Sequence, residues 1–320
     1  MFCDYTKIEY QDHSEYLNLP TSEELRSRAL EAFDSEFVLQ LGQERQRSAA
    51  TASQAVALNL TEVDKLNELK KNGIIKLSLS AQKRNELNNL LTQRMSELEK
   101  KREASDVQDL GVETASLQLG RKKTDETDVF HFLREELKDN GVLAIASAYL
   151  KRKMSLKFVN LQINESADGG IKKFSTFSSG NVSDCYYMHI DSAVRNLKLI
   201  MYLNDVETAR GAFRYILGSH KWMTPLEKCI RRANDRAGLD ALDKEAMTLF
   251  YNLPSCFQMK ANFGNDMICE FENIGKSLVD MENALEGRDG DMLMFDNSGV
   301  HRGAIFEKPG KRKILQIVLS

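Results

Sequence analysis

Apolar residues recur along this chain at two spacings, and the spacing changes near residue 155. Before that point they return every three or four positions, the period of a helix with one buried face. Thr21-x-x-Glu24 reads as a capping box opening a helix with Leu25, Ala29 and Phe33 inward. Residues 42–57, rich in Gln, Ser and Ala, read as a tether or a loosely docked segment. Thr61-x-x-Asp64 predicts the start of a second helix, carrying Val63, Leu66 and Leu69 and stopped by Gly73, a natural left-handed residue. Ile74, Ile75, Leu77 and Leu79 predict a short strand. Ser80 then caps a long helix with Leu87, Leu91, Met95 and Leu98 at one-turn spacing. Lys100 to Asp128 is polar and charged and reads as a loop or a frayed end. Phe130, Leu133 and Leu137 make a further helical stripe, stopped by Gly141.

After residue 155 the period is two. Leu156, Phe158, Val159, Leu161 and Ile163 predict one strand, and Leu197, Leu199, Met201 and Leu203 another. Met292 to Phe295 read as a buried strand, and Ile314 to Leu319 as the last. Residues 224–252 look helical. Helices first and short strands later imply an α+β chain whose chemical core is a β-sandwich or barrel.

Composition narrows the function classes. Forty-four basic against 47 acidic residues leave a formal charge of −3, which argues against a basic nucleic-acid binder. No apolar run approaches the roughly 20 residues of a membrane span, and a small-molecule substrate is the expected partner. The acidic, mixed N-terminus has no leader pattern. Five scattered cysteines without a CxxC fit reduced thiols, hence a cytoplasmic protein.

The sharpest local feature is Tyr186-Tyr187-Met188-His189-Ile190-Asp191. On a strand, residues two apart share a face, so His189 and Asp191 can present an imidazole nitrogen and a carboxylate oxygen to one point. With a third histidine they would form the two-His-one-carboxylate face that holds Fe(II) and leaves positions open. An HxD alone is common by chance, so context decides. His301 stands at the end of Gly290-Asp291-Met292-Leu293-Met294-Phe295-Asp296-Asn297-Ser298-Gly299-Val300-His301-Arg302-Gly303, a strand running into a turn. Arg312 follows eleven residues later, on the face of the last strand that also carries Ile314, Gln316 and Val318. A guanidinium forks onto a carboxylate, so Arg312 suits the far end of a 2-oxo acid; the alternative is a solvated basic cluster with Lys311 and Lys313.

HxD, the segment Gly211 to His220, GD…HRG and a trailing Arg resemble the phytanoyl-CoA dioxygenase family, as does the segment Leu66 to Leu77. The resemblance runs from about residue 60 to the C-terminus. It implies a double-stranded β-helix (jelly-roll, cupin-like) oxygenase domain over 60–320, with a partly helical insertion at about 221–288 and an N-terminal extension over 1–59. It implies Fe(II) held by His189, Asp191 and His301, with 2-oxoglutarate and O₂ as co-substrates. Arg312 would anchor the oxoglutarate, and Gln162 is a weaker candidate for a second contact. The implied activity is hydroxylation of a metabolite C–H. Asp191 stands where halogenases of this wider group carry Gly or Ala, which disfavours halogenation. His220 is expected to pack or hydrogen-bond near the pocket, and Phe213, Tyr215, Trp222 and Met223 to line it or fill the core. Residues 221–288 are expected to cover the open metal positions. A β-sandwich binding protein without catalysis, and a cupin-type metal enzyme independent of oxoglutarate, are the alternatives.

Overall fold

Asn59 opens the first helix of the computed structural model, which describes residues 57–103, 108–109, 112–122, 124–167, 196–221, 279–303 and 305–320. Its side chain accepts from the Glu62 N–H at 2.9 Å while Glu62 reaches back to the Asn59 N–H at 2.8 Å. This reciprocal cap places the N-cap of α1 (Leu60–Asn72) at Asn59, two residues ahead of the Thr61 expected from sequence. Gly73 ends the helix at φ 79°, and the chain turns directly into β1 (Ile74–Ser78). Ser80 accepts from Lys83 N–H at the start of α2 (Ala81–Glu103), as its position predicted.

The polar stretch after Lys100 differs from its reading. It holds the end of α2, the short β2 (Gln108–Asp109) and the ten-residue β3 (Val112–Arg121). Next come α3 (Asp128–Asp139), capped by Thr127, and α4 (Val142–Leu150), a helix the pattern did not show. Then follow β4 (Leu156–Ser166), β5 (Leu197–Tyr202), β6 (Phe213–Tyr215), a 3₁₀ turn (Ser219–Lys221), β7 (Asn283–Leu285), β8 (Asp291–Asp296), β9 (His301–Arg302) and β10 (Gly310–Leu319). The helix expected from Thr21 and the one over 224–252 lie outside the described residues.

Among the described residues seven strands form an antiparallel sheet in the order β1-β8-β5-β10-β4-β3-β2, and three form a second in the order β7-β6-β9. The large sheet has a core on each face. Ala115, Leu161, Ile163, Leu199, Met294, Leu315 and Ile317 pack against the helices through Leu69, Leu91, Phe130 and Leu133. Ile200, Tyr202, Leu293, Phe295 and Ile314 point the other way and meet Phe213 and Tyr215 of the small sheet. The result is the α+β jelly-roll expected: two facing antiparallel sheets with helices covering the outside of the larger. No helix among the described residues is long and apolar enough to cross a membrane.

The register carries the chemistry. Arg312 stands opposite Asn164, Ile314 opposite both Gln162 and Tyr202, and Gln316 opposite Asn160 and Ile200. Strand alternation therefore sends Arg312, Gln162 and Asn164 into the space between the sheets, while Lys311 and Lys313 point to the helices.

Candidate functional site

A cavity of about 130 Å³ opens between the two sheets, lined by Gln162, Ile200, Phe213, Phe295, His301, Arg312 and Gln316 among others. Three of the five residues singled out in the sequence thus share one space. The other two, His189 and Asp191, lie outside the described residues, as do Trp222, Met223 and residues 222–278 of the expected cover; its last part, from residue 279, holds β7 of the small sheet. Among the described residues no three His, Cys, Asp or Glu side chains gather as a metal-binding group.

His301 is delivered by a tightly hydrogen-bonded turn between β8 and β9. The carboxylate of Asp296, fully buried, accepts from the Ser298 N–H at 2.9 Å, the Ser298 hydroxyl at 2.6 Å and the Tyr149 hydroxyl at 2.6 Å. The Val300 N–H donates to Ser219 Oγ at 2.7 Å. The imidazole is 5 % exposed, and its Nδ1 lies 2.8 Å from the carbonyl of Gly299. A carbonyl can only accept, so Nδ1 bears a proton, and in a neutral ring the lone pair would sit on Nε2. Metal-ligating histidines characteristically make this hydrogen bond through the other nitrogen. Phe295, Phe213 and Tyr215 surround the ring at centroid distances of 5.1, 5.5 and 6.3 Å, Tyr215 nearly parallel to it.

Outside the small sheet a charged clamp holds the same strand. Arg302 forks onto Glu282 with Nε at 2.8 Å and Nη2 at 2.7 Å, and Arg214 Nη1 meets the same carboxylate at 2.6 Å. Arg214 also reaches Glu307 at 2.7 Å. β9, only two residues long, is thereby tied to β6 by side chains as well as by its ladder.

Arg312 is 3 % exposed, which removes the solvated-cluster alternative. Its lysine neighbours lie on the opposite face: Lys311 pairs with Glu165 at 2.9 Å, and Lys313 with Glu99 at 3.0 Å. The guanidinium donates to Asn164 Oδ1 from Nη2 at 2.9 Å and from Nε at 3.3 Å, and to the Gly211 carbonyl from Nη1 at 3.1 Å. Gln162 is nearly buried, and its Oε1 accepts from Gln316 Nε2 at 2.5 Å. Asn164 and Glu282 went unnoticed in the sequence, and Gln316 and Asp296 were placed there without a role. Asn164 and Gln316 had a signal, since each is a polar residue on the same face of its strand as a candidate.

His220 takes another place. It is 1 % exposed, with Nε2 3.2 Å from the Lys70 carbonyl at the end of α1, and it is not among the residues lining the cavity. Tyr202 bridges the sheets: its hydroxyl donates to Leu285 O at 2.7 Å and accepts from Phe213 N–H at 3.0 Å. Burial pushes its phenol pKa up, against the nearby positive charge of Arg312.

No protein-family model matches the chain, and no curated protein does. Solved structures similar to it include the non-heme alpha ketoglutarate dependent carbocyclase SnoK from nogalamycin biosynthesis, at 13% identity and a TM-score of 0.48, covering 82% of this chain and 83% of that one. EctD from S. alaskensis with bound Fe is similar at 14% identity and a TM-score of 0.47, covering 84% and 78%. HygX from Streptomyces hygroscopicus with nickel and 2-oxoglutarate bound is similar at 14% identity and a TM-score of 0.45, covering 82% and 87%.

Proposed function

We propose that this chain is a non-haem Fe(II)- and 2-oxoglutarate-dependent oxygenase resembling the phytanoyl-CoA dioxygenase family. It hydroxylates a C–H bond of a small or medium metabolite and releases succinate and CO₂. The observation that carries the reading is the sharing of one cavity by His301, whose Nδ1 faces the Gly299 carbonyl, and Arg312, a buried guanidinium. An imidazole held in this way fits an Fe(II) ligand, and a buried guanidinium fits the distal carboxylate of oxoglutarate.

His301 would hold the metal together with His189 and Asp191. When bound, Fe(II) activates O₂ so that one oxygen atom ends in succinate and the other in the hydroxylated product. The chain's own residues do the rest. Arg312 binds and orients the co-substrate, and Gln162 offers an amide from the neighbouring strand. Phe213, Phe295 and Tyr215 keep water from the His301 ring. Asp191 argues for hydroxylation over halogenation, because its carboxylate would take up the ligand place that a halide needs.

The test is succinate formation by anaerobically iron-loaded protein given oxoglutarate and O₂. Succinate produced in step with oxoglutarate consumed is the expected result. Protein that binds neither iron nor oxoglutarate would overturn the reading.

A further inference from the structure

We infer that Asn164 is the positioning residue for Arg312, and that its neutrality makes the cavity prefer a dicarboxylate oxo acid over a monocarboxylate one. The inference rests on the proposed function. Asn164 is fully buried on β4, directly across the ladder from Arg312. Its Oδ1 takes the Nε and Nη2 protons, one whole edge of the guanidinium, while the Gly211 carbonyl takes an Nη1 proton. Three N–H groups aimed at two oxygens on different elements, β4 and the turn before β6, fix both the direction and the roll of a planar group.

The amide is itself fixed. Arg312 offers only donors, so the oxygen of Asn164 must face it and the nitrogen must face away. That nitrogen donates to Thr114 Oγ1 at 2.9 Å, on β3, the next strand of the sheet. A relay from Thr114 through Asn164 to Arg312 therefore crosses three adjacent strands on the cavity side.

The choice of amide has a chemical consequence. An apolar residue at 164 would leave buried N–H groups of Arg312 without these acceptors. A carboxylate would satisfy them, but its charge would cancel that of the guanidinium, and an incoming carboxylate would meet a neutral pair. A short neutral acceptor aims the cation without quenching it. Asn164→Asp is then an informative variant: it is isosteric and keeps the acceptor oxygen, and the Thr114 hydroxyl can turn to donate to it.

The experiment titrates 2-oxoglutarate, and 2-oxopentanoate, the same chain without the distal carboxylate, into Mn(II)-loaded protein by calorimetry. The parent should bind oxoglutarate the more tightly. In Asn164→Asp that preference should fall by about ten- to a hundredfold, while 2-oxopentanoate binding stays within about threefold. Asn164→Ala should reduce the preference less. The ratio of the two affinities is the readout because general damage to the fold weakens both ligands together; circular dichroism and Tm check that the variants fold. An unchanged ratio in Asn164→Asp, with the parent binding oxoglutarate normally, overturns this inference alone. A parent that binds neither oxo acid, or both equally, overturns the oxoglutarate reading of the site and the inference with it.

Discussion

The hydroxyl of Tyr202, on the large sheet, accepts a hydrogen bond from the backbone N–H of Phe213, on the small one, at 3.0 Å. The same oxygen donates to Leu285, so a single phenol joins β5 to both β6 and β7. Tyr202→Phe leaves a buried N–H and a buried C=O without that partner and should cost about 1–3 kcal/mol, read as a lower Tm. Burial holds the folded-state phenol pKa above its usual value. The unfolded chain therefore loses the proton first, so the stability is intact below about pH 10 and declines as pH rises beyond it. Tm measured from about pH 9 to 11 should fall more steeply for the parent than for Tyr202→Phe. Equal slopes would assign the alkaline loss to other groups.

Glu282→Gln tests the clamp behind His301. The substitution keeps the shape but leaves the Arg214 and Arg302 guanidiniums facing a neutral amide in a buried place. Removing one charge from such a cluster costs about 3–5 kcal/mol. Because Arg302 adjoins His301 on a strand of two residues, metal affinity should fall along with Tm. A lower Tm with undiminished metal affinity would separate the clamp from the site.

Gly299→Ala probes the turn that presents the imidazole. A Cβ at 299 would lie inside the van der Waals radius of Tyr215 Oη, which now donates to the Asp296 carbonyl at 3.1 Å. Overpacking of this kind costs about 1–3 kcal/mol. Metal affinity should drop more than in an alanine substitution at an exposed position such as Leu217, and titration of both variants with Mn(II) would show it.

His301→Ala and Arg312→Ala should fail differently. The first should abolish tight Fe(II) binding and leave the circular dichroism spectrum close to that of the parent. The second should spare the metal while oxoglutarate affinity falls by tens to thousands of fold, from a lost interaction of about 2–5 kcal/mol. Arg312→Lys keeps the charge, loses the fork and should fall between. Anaerobic titrations with metal and with oxoglutarate separate the two. A His301→Ala protein that binds Fe(II) like the parent would remove His301 from the ligand set; His220, engaged with the end of α1, is a poor substitute.

What the sequence showed, and what it hid, follows from which faces are apolar. The helix stripe at Leu87, Leu91 and Leu98 and the alternation along β4, β5 and β10 were legible because one side of each element meets a large apolar core. β3 was read as loop because its second face carries Thr114, Ser116 and Gln118, polar side chains that are exposed. α4 was missed for the opposite reason. VLAIASAYL is apolar nearly all round, so no period of 3.6 stands out, and Gly141 reads as a stop when it also opens the next helix. Of the site, His301 and Arg312 were legible as chemistry at plausible spacing. Asn164 and Glu282 were not, because positioning is a property of neighbours that only the folded chain brings together.

β9 belongs to the small sheet and β10 to the large one, so the segment between Arg302 and Gly310 is a bridge between two separate frames. The distance from His301 to Arg312 counted in residues is the weaker constraint, though not a free one: the bridge buries Phe306, pairs it with Arg210 and ties Glu307 to Arg214 of β6. Parity is the strong one. Within β10, odd positions belong to the helices and even positions to the cavity. A one-residue deletion inside the strand would offer Lys311 or Lys313 to the site and drive the guanidinium into the helix layer. A two-residue deletion would keep every side chain on its own side. Chains built on this plan should vary in the length of the bridge only where those contacts are kept, and hardly at all in the odd-even phase of the strand that follows.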